Sequence, residues 1–250
     1  MIRIFLVGAL GRMGREITRL AEASQDLVIV GGLDQGAGST TSFPIFTVFP
    51  EIDLEYDVLI DFSSPALTDA LLDHLQKSGK PAVLCTTGIS AEQESAVSSL
   101  ATQSAIFRSA NMSVGVYVLS RLVAEANRLL GAEFDAEIVE AHHRGKKDAP
   151  SGTAFMLARA IQQSSEIERP LVLDRSNRSE ARPTGEIGMQ ALRGGTIAGD
   201  HQVLFAGDSE VITLAHHAQS RDVFAAGALR AARFIHGKTP GLYDMSDMLA

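Results

Sequence analysis

One cysteine, Cys85, stands in 250 residues. A disulfide framework within the chain is thereby excluded, as are zinc sites built on several thiolates, and a reducing compartment fits. No run approaches the roughly 18 consecutive apolar residues that span a bilayer. The opening MIRIFLVG has no basic segment ahead of an apolar stretch and cleavage site, so no secretory leader is expected and the expected location is cytoplasmic. Cations are in the minority: 22 Lys and Arg against 30 Asp and Glu, a net charge of -8 with a pI of about 5.4. That balance argues against a general nucleic-acid binder and against an acidic membrane surface as partner. A small anionic substrate stays open, because a local cluster of cations can oppose the global charge. No internal repeat or low-complexity segment occurs. What remains is 45% hydrophobic and 21% charged residues, as in a globular chain of one large domain or two small ones.

Ile2 to Val7 is a short apolar run in which only Arg3 is polar, which suits a strand buried on both faces. The glycines of GALGRMG follow, at Gly8, Gly11 and Gly14, and then Met13, Ile17, Leu20 and Ala21 recur at helical spacing. A second apolar run, Leu27 to Leu33, ends at Asp34, 20 residues beyond Gly14. Strand, glycine turn and helix in this order suit a dinucleotide. The glycines allow backbone to approach a pyrophosphate, the helix N-terminus faces its charge, and Asp34 can accept from a ribose diol. The spacing is G-x-x-G-x-x-G rather than the commoner G-x-G-x-x-G, and the plainer alternative is three packing glycines with a surface aspartate.

The alternation continues. Val58 to Phe62 reads as a strand opening into the helix-start signal Ser63-Ser64-Pro65, and Leu67, Leu71 and Leu75 form a helix stripe. Ala82 to Cys85 runs into Thr86-Thr87-Gly88, and Ala105 to Phe107 into Ser109-Ala110-Asn111. This order predicts a parallel, doubly wound sheet with ligand-facing residues at the strands' carboxyl ends. Gly8 to Met13, Asp34, Phe62, Thr86, Thr87 and Asn111 all fall there.

Beyond Asn111 the rhythm changes. Leu119, Leu122, Val123, Ala126 and Leu130 mark a long helix, Phe134 to His143 a strand, and Phe155 to Ile161 another helix. Glu186 to Arg193 and Glu210 to His216 are strand candidates separated by the glycine-rich RGGTIAGD. Strands so close in sequence predict an antiparallel or mixed sheet, hence a second domain of α+β type. Phe224, Ala228, Ala231 and Ile235 form a last helix stripe, and the closing GLYDMSDML is expected to return to the first domain.

The stretch EAHHRGKKDAPSGTA, Glu140 to Ala154, concentrates unusual chemistry. Neighbouring side chains on a strand point to opposite faces, so His142 and His143 are poorly placed to chelate one metal, and no metal site is expected. Arg144, Lys146 and Lys147 add positive charge, and Ser151-Gly152-Thr153 start a helix with exposed N–H groups. Cations beside a helix N-terminus trap carboxylates or phosphates, and a nearby histidine can exchange a proton near neutral pH. A charged loop without such a role is the plainer alternative. His216-His217 read most simply as the end of a strand.

Seven motifs, VGALGRMG, DFSSP, CTTG, SANMSVGV, EAHHRGKKDAPSGTA, RGGTIAGDH and GLYDMSDML, together resemble the dihydrodipicolinate (4-hydroxy-tetrahydrodipicolinate) reductase family. The resemblance runs from the first strand to the last residues, and the HH-x-x-K-x-DAPSGTA element is its most specific part. It implies an NAD(P)H-dependent reduction of 4-hydroxy-tetrahydrodipicolinate to tetrahydrodipicolinate, on the diaminopimelate route to lysine. It implies a Rossmann-like N-terminal domain, residues 1–112 joined by 221–250, and a central α+β substrate-binding domain, 113–220, that builds a homotetramer. By resemblance Gly8, Ala9, Leu10, Gly11, Arg12, Met13, Asp34, Cys85, Thr86, Thr87, Ser109, Ala110, Asn111 and Met112 line the cofactor. His142 matches the family's proton donor or acceptor, and Lys146, not Lys147, its second proton donor. His143 and the turn Ser151, Gly152 and Thr153 match substrate-binding positions, with Arg221 a further basic residue near the substrate.

One position departs from the family. Cys85 replaces the first glycine of Gly-Thr-Thr-Gly, where a side chain would crowd the nicotinamide ribose or require a different turn. An inert, buried thiol is the expected role. Either NADH or NADPH is expected as cofactor, with a modest preference for NADH. Asp34 would repel a 2′-phosphate, and the following Gln35, Gly36, Ala37 and Gly38 include no arginine, leaving Arg12 as the nearest candidate cation. Two competing readings are another amino-acid dehydrogenase of this fold, homoserine- or aspartate-dehydrogenase-like, and a non-catalytic dinucleotide sensor. Neither accounts for HHRGKKDAPSGT.

Overall fold

The structure, a computed structural model, describes residues 1–36 and 41–250; Ala37 and Gly38, which follow Asp34, lie outside the described residues. In chain order the elements begin β1 (Ile2–Val7), α1 (Arg12–Glu22), β2 (Leu27–Leu33), β3 (Ile45–Phe46), β4 (Val58–Asp61) and α2 (Thr68–Ser78). Next come β5 (Ala82–Leu84), α3 (Ala91–Leu100), β6 (Ala105–Arg108), α4 (Val114–Leu130), β7 (Asp135–His142) and α5 (Gly152–Gln163). The chain closes with β8 (Leu171–Val172), β9 (Ile187–Arg193), β10 (Gly199–Ala206), β11 (Val211–Ala218), α6 (Asp222–Ile235), β12 (Gly241–Tyr243) and α7 (Met245–Leu249). The chain divides into two compact units, Met1–Ser113 with Arg221–Ala250, and Val114–Ser220.

The first unit is built on a parallel sheet in the order β12-β6-β5-β4-β1-β2-β3. Its central strands are apolar on both faces, and Ile4 to Val7 and Val58 to Ile60 are fully buried. Gly241 to Tyr243, in the C-terminal segment, pair with Ala105 to Phe107 as an added edge strand. Two glycines shape the first turn. Gly8 has a φ of +79°, and a Cβ on Gly14 would lie 2.3 Å from Gly8 O and 2.4 Å from Ala9 O. Only glycine permits that conformation and that approach of α1 to the turn.

The second unit carries a mixed sheet in the order β11-β10-β7-β9-β8. β7 runs antiparallel to β10 and parallel to β9, and β10 is antiparallel to β11. Residues of β7 alternate strictly, with Ala136, Ile138, Glu140 and His142 on the buried face. The first two join α4, α5, β9 and β10 in an apolar core with Val123, Leu157, Met189 and Phe205. Burying each large side chain of this kind stabilises the fold by roughly 1.5–3 kcal/mol. The same face then turns from apolar to polar at Glu140, so the core passes directly into a cluster of ionisable groups. β10 departs from the expectation: its sequence GDHQVLFA begins inside the glycine-rich stretch that separates the two strand candidates. The short strands β3, β8 and β12 and the helix α3 are not signalled by the sequence pattern either, and α4 begins earlier than its leucine stripe suggests.

Candidate active site

All the expected cofactor positions in the first unit lie at one end of the parallel sheet. Gly8, Ala9, Leu10 and Gly11 form the turn after β1, and Arg12 and Met13 open α1, which has no side-chain cap. A helix leaves the N–H groups of its first turn without intrahelical partners, and these meet whatever anion approaches. Asp34 follows β2 and accepts from the Leu10 N–H at 2.9 Å. Phe62 follows β4, Cys85 to Thr87 follow β5, and Ser109 to Met112 follow β6. Asp61 is buried and accepts from the Ser63 N–H at 2.9 Å, while its carbonyl accepts from the Cys85 N–H at 3.0 Å. The Cys85 thiol is buried, and burial, reinforced by Asp61, pushes its pKa up. The side chain is thus accommodated inside the unit. Ser109 Oγ accepts from the Asn111 N–H at 3.3 Å, and Asn111 Oδ1 from the Ser113 N–H at 2.9 Å, so this turn is held by its own polar side chains.

The second unit gathers His142, Lys146 and Ser151 around a residue the motif reading passed over. Glu140 lies two residues before His142 on the same face of β7 and is fully buried. Its Oε2 meets His142 Nδ1 at 2.6 Å, and its Oε1 accepts from the Ser151 N–H at 3.0 Å. The Arg193 guanidinium, at the end of β9, donates to both oxygens at 2.9 and 2.8 Å. Burial pushes the Glu140 carboxyl up, but the Arg193 and His142 hydrogen bonds outweigh it and hold the group below its ordinary value. Arg193 also donates to Asp148 O at 2.7 Å, and the Asp148 carboxylate pairs with Lys146 Nζ at 2.8 Å. The Lys146 hydrogen bond lowers the Asp148 pKa.

On the other side of His142 stands His201 of β10, its ring edge-on at 5.2 Å between centroids. His201 Nε2 lies 3.0 Å from Ser151 Oγ, which also accepts from the Ala154 N–H and so caps α5. Burial, with His142 nearby, pushes the His201 pKa down to about 4, so it is neutral at neutral pH. Gly152 and Thr153 are the first residues of α5, and His143 is partly exposed just beyond β7. Lys147 is exposed, whereas Lys146 is partly covered. Arg221 belongs to the first unit, at the N-terminal end of α6. His217 pairs with Asp200 at the end of β11. Among the described residues no group of three or more His, Cys, Asp or Glu is arranged to hold a metal ion.

Glu140 carried one legible signal, its place two residues from a histidine on an alternating strand. Arg193 and His201 are the first and last residues of RGGTIAGDH, but that stretch did not tell which groups they meet, because each arrives from a strand about 50 residues away in the chain.

The fold defines a Rossmann-type nucleotide-binding unit joined to a mixed-sheet unit that holds a cluster of ionisable groups. Residues 2–112 match the family described as Dihydrodipicolinate reductase, N-terminus, and residues 115–249 match Dihydrodipicolinate reductase, C-terminus. The chain belongs to the dihydrodipicolinate reductase family. It is 46% identical over 249 residues to the 4-hydroxy-tetrahydrodipicolinate reductase of Caldanaerobacter subterraneus, covering all of this chain and 98% of that one. It is 43% identical to the enzyme of that name from Clostridium tetani, covering 100% of this chain and 97% of that one. In fold it is similar to a dipicolinate-bound dihydrodipicolinate reductase from Paenisporosarcina sp. TG-14, with a TM-score of 0.79, 24% identity, and 98% and 97% of the two chains covered.

Proposed function

We propose that the protein is a 4-hydroxy-tetrahydrodipicolinate reductase of the diaminopimelate route to lysine, an NAD(P)H-dependent oxidoreductase acting in the cytoplasm. The observation that carries the reading is the buried Glu140–His142 pair beside Lys146 and the N-terminus of α5, in a chain 46% identical to an enzyme of that name. The net reaction delivers one hydride and one proton to the substrate and releases its hydroxyl as water.

The first unit fits a dinucleotide. The Gly8–Gly14 approach sets the start of α1 directly against the turn after β1, so that the N–H groups of its first turn can meet a pyrophosphate, and Asp34 stands at the end of β2 for a ribose diol. Gly8 to Met13, Asp34, Phe62, Cys85 to Thr87 and Ser109 to Met112 would hold the cofactor. When bound, the nicotinamide supplies the hydride. Asp34 favours NADH modestly over NADPH.

In the second unit, His143, Lys146 and the N–H groups of Gly152 and Thr153 bind the substrate carboxylates, with Ser151 fixing the helix start; Arg221, a substrate position by resemblance, belongs to the first unit. His142, through Nε2, and Lys146, through Nζ, exchange the protons. Glu140 occupies His142 Nδ1 and leaves Nε2 toward the substrate, and Asp148 holds Lys146 Nζ from one side. A homotetramer would be built on the outward face of the second sheet, where Leu192 and Val211 are more than half exposed.

The test is NADH oxidation with freshly synthesised 4-hydroxy-tetrahydrodipicolinate, with and without pyridine-2,6-dicarboxylate. Turnover and inhibition competitive with substrate are expected. No turnover, or no binding of the planar dicarboxylate at about millimolar concentration, an affinity only about 4 kcal/mol strong, would overturn the reading. Sedimentation of the purified protein checks the tetramer.

A further inference from the structure

Strand geometry sets Glu140 and His142 on one face of β7, two residues apart, and β9 brings Arg193 opposite His142 in the parallel register. A carboxylate buried this completely is tolerated only when both oxygens are satisfied, and here both are, by Arg193, the Ser151 N–H and His142 Nδ1. Held ionised, Glu140 can only accept hydrogen bonds. The proton at the 2.6 Å contact therefore belongs to His142 Nδ1. Nε2 is left as the ring atom that gives or takes a proton, and it faces the space left by Gly199, where a Cβ would come within 3.1 Å. Arg193 reaches further, to Asp148 O, and Asp148 holds Lys146. One guanidinium thus braces both groups assigned to proton transfer.

A purely structural ion pair would explain the fork between Arg193 and Glu140. It would not require an imidazole on the remaining lone pair, nor the second bond from Arg193 to the loop that carries Lys146.

We propose that Glu140 and Arg193 are positioning residues for the reduction: Glu140 sets the tautomer and orientation of His142, and Arg193 locks Glu140 and the Lys146 loop in one arrangement. The proposal rests on the reading of His142 as the proton-exchanging group.

The test compares the full-length enzyme with Glu140→Gln, Arg193→Lys and His142→Ala. Kinetics with 4-hydroxy-tetrahydrodipicolinate and NADH are combined with nitrogen-15 spectra of histidine-labelled protein, in which His142→Ala identifies the His142 signals. In the unaltered enzyme the neutral ring carries its proton on Nδ1. In Glu140→Gln the amide oxygen is expected to stay with Arg193 and the Ser151 N–H, turning the amide NH₂ toward Nδ1 and moving the ring proton to Nε2. The kcat should fall about 10²-fold, while KM for the substrate stays within about 3-fold. Arg193→Lys keeps the charge but loses the fork, and a fall of about 10-fold with partial loss of the tautomer preference is expected. An unmoved Nδ1 proton and a kcat within about 2-fold of the unaltered enzyme in both variants would overturn the proposal. If Glu140→Gln does not fold, Arg193→Lys decides by the same two readouts. A normal kcat in His142→Ala would instead overturn the catalytic reading of His142, while the tautomer shift would still report on Glu140 independently.

Discussion

Asp34 Oδ2 accepts a hydrogen bond from the Leu10 N–H at 2.9 Å, across 24 residues of chain. Its Oδ1 lies 3.4 Å from the Gly36 N–H. The carboxylate assigned to the ribose diol therefore also braces the glycine turn. Its charge opposes a 2′-phosphate by about 1–3 kcal/mol at a partly solvated site. Asp34→Asn keeps an acceptor oxygen and removes the charge. The ratio of kcat/KM for NADPH to that for NADH should rise roughly 10-fold, with NADH preferred in the unaltered enzyme. An unchanged ratio would place the discrimination elsewhere.

Gly199→Ala tests the space beside His142. A Cβ there would lie 3.1 Å from His142 Nε2 and 3.5 Å from its Cδ2, and the backbone conformation suits alanine. The methyl group crowds the atom assigned to proton exchange without disturbing the apolar core. A fall in kcat of about 10-fold with little change in Tm is expected from kinetics and calorimetry.

His201 links stability to pH. Its folded pKa of about 4 lies below the ordinary histidine value near 6.5. The unfolded chain thus binds a proton at this site at higher pH than the folded one. The contribution is fully present above about 6.5 and is lost as pH falls toward about 4, a total on the order of 3 kcal/mol. His201→Gln can still reach Ser151 Oγ but does not titrate. Denaturant unfolding across this range should show a shallower acid decline for the variant; parallel declines would contradict the assignment.

Lys146 and Lys147 should differ sharply. Lys146 pairs with Asp148 at 2.8 Å and is partly covered, whereas Lys147 is exposed. Lys146→Ala is expected to lower kcat by about 10² or more, the scale of a lost general acid, and Lys147→Ala far less. The reverse order in steady-state assays would move the proton donor by one residue.

Cys85 should resist chemistry. The thiol is 5% exposed, and burial raises its pKa, so little thiolate exists at neutral pH. Iodoacetamide is expected to leave it unmodified in the folded enzyme and to label it after denaturation, as intact-mass measurements would report. Rapid labelling of the native protein would show that the turn after β5 opens.

The buried strands of the first unit were legible because a parallel strand covered on both faces reads as an unbroken apolar run. Ile2–Val7 and Leu27–Leu33 have the bounds expected of them. β10 escaped because its first half, Gly199 to Gln202, is polar and continues the glycine-rich stretch, leaving only Val203 to Ala206 as an apolar run. β3 and β8, two residues each, and β12, three, are too short to carry any period. Of the cluster in the second unit, the local motif supplied His142, Lys146 and Ser151, but Glu140 passed as the first letter of that motif.

What the sequence alone determined is local: the glycine turn, the apolar strands at whose ends Asp34, Phe62 and Cys85 stand, and the polar stretch from His142 to Thr153. Each is encoded by neighbours within a few residues, through backbone freedom, periodicity or capping. Tertiary structure decided the partners. Arg193 meets Glu140 across 53 residues and His201 meets Ser151 across 50. Those meetings depend on which strands pair and in what register, and the hydrogen bonds that select them come from backbone groups that every residue shares.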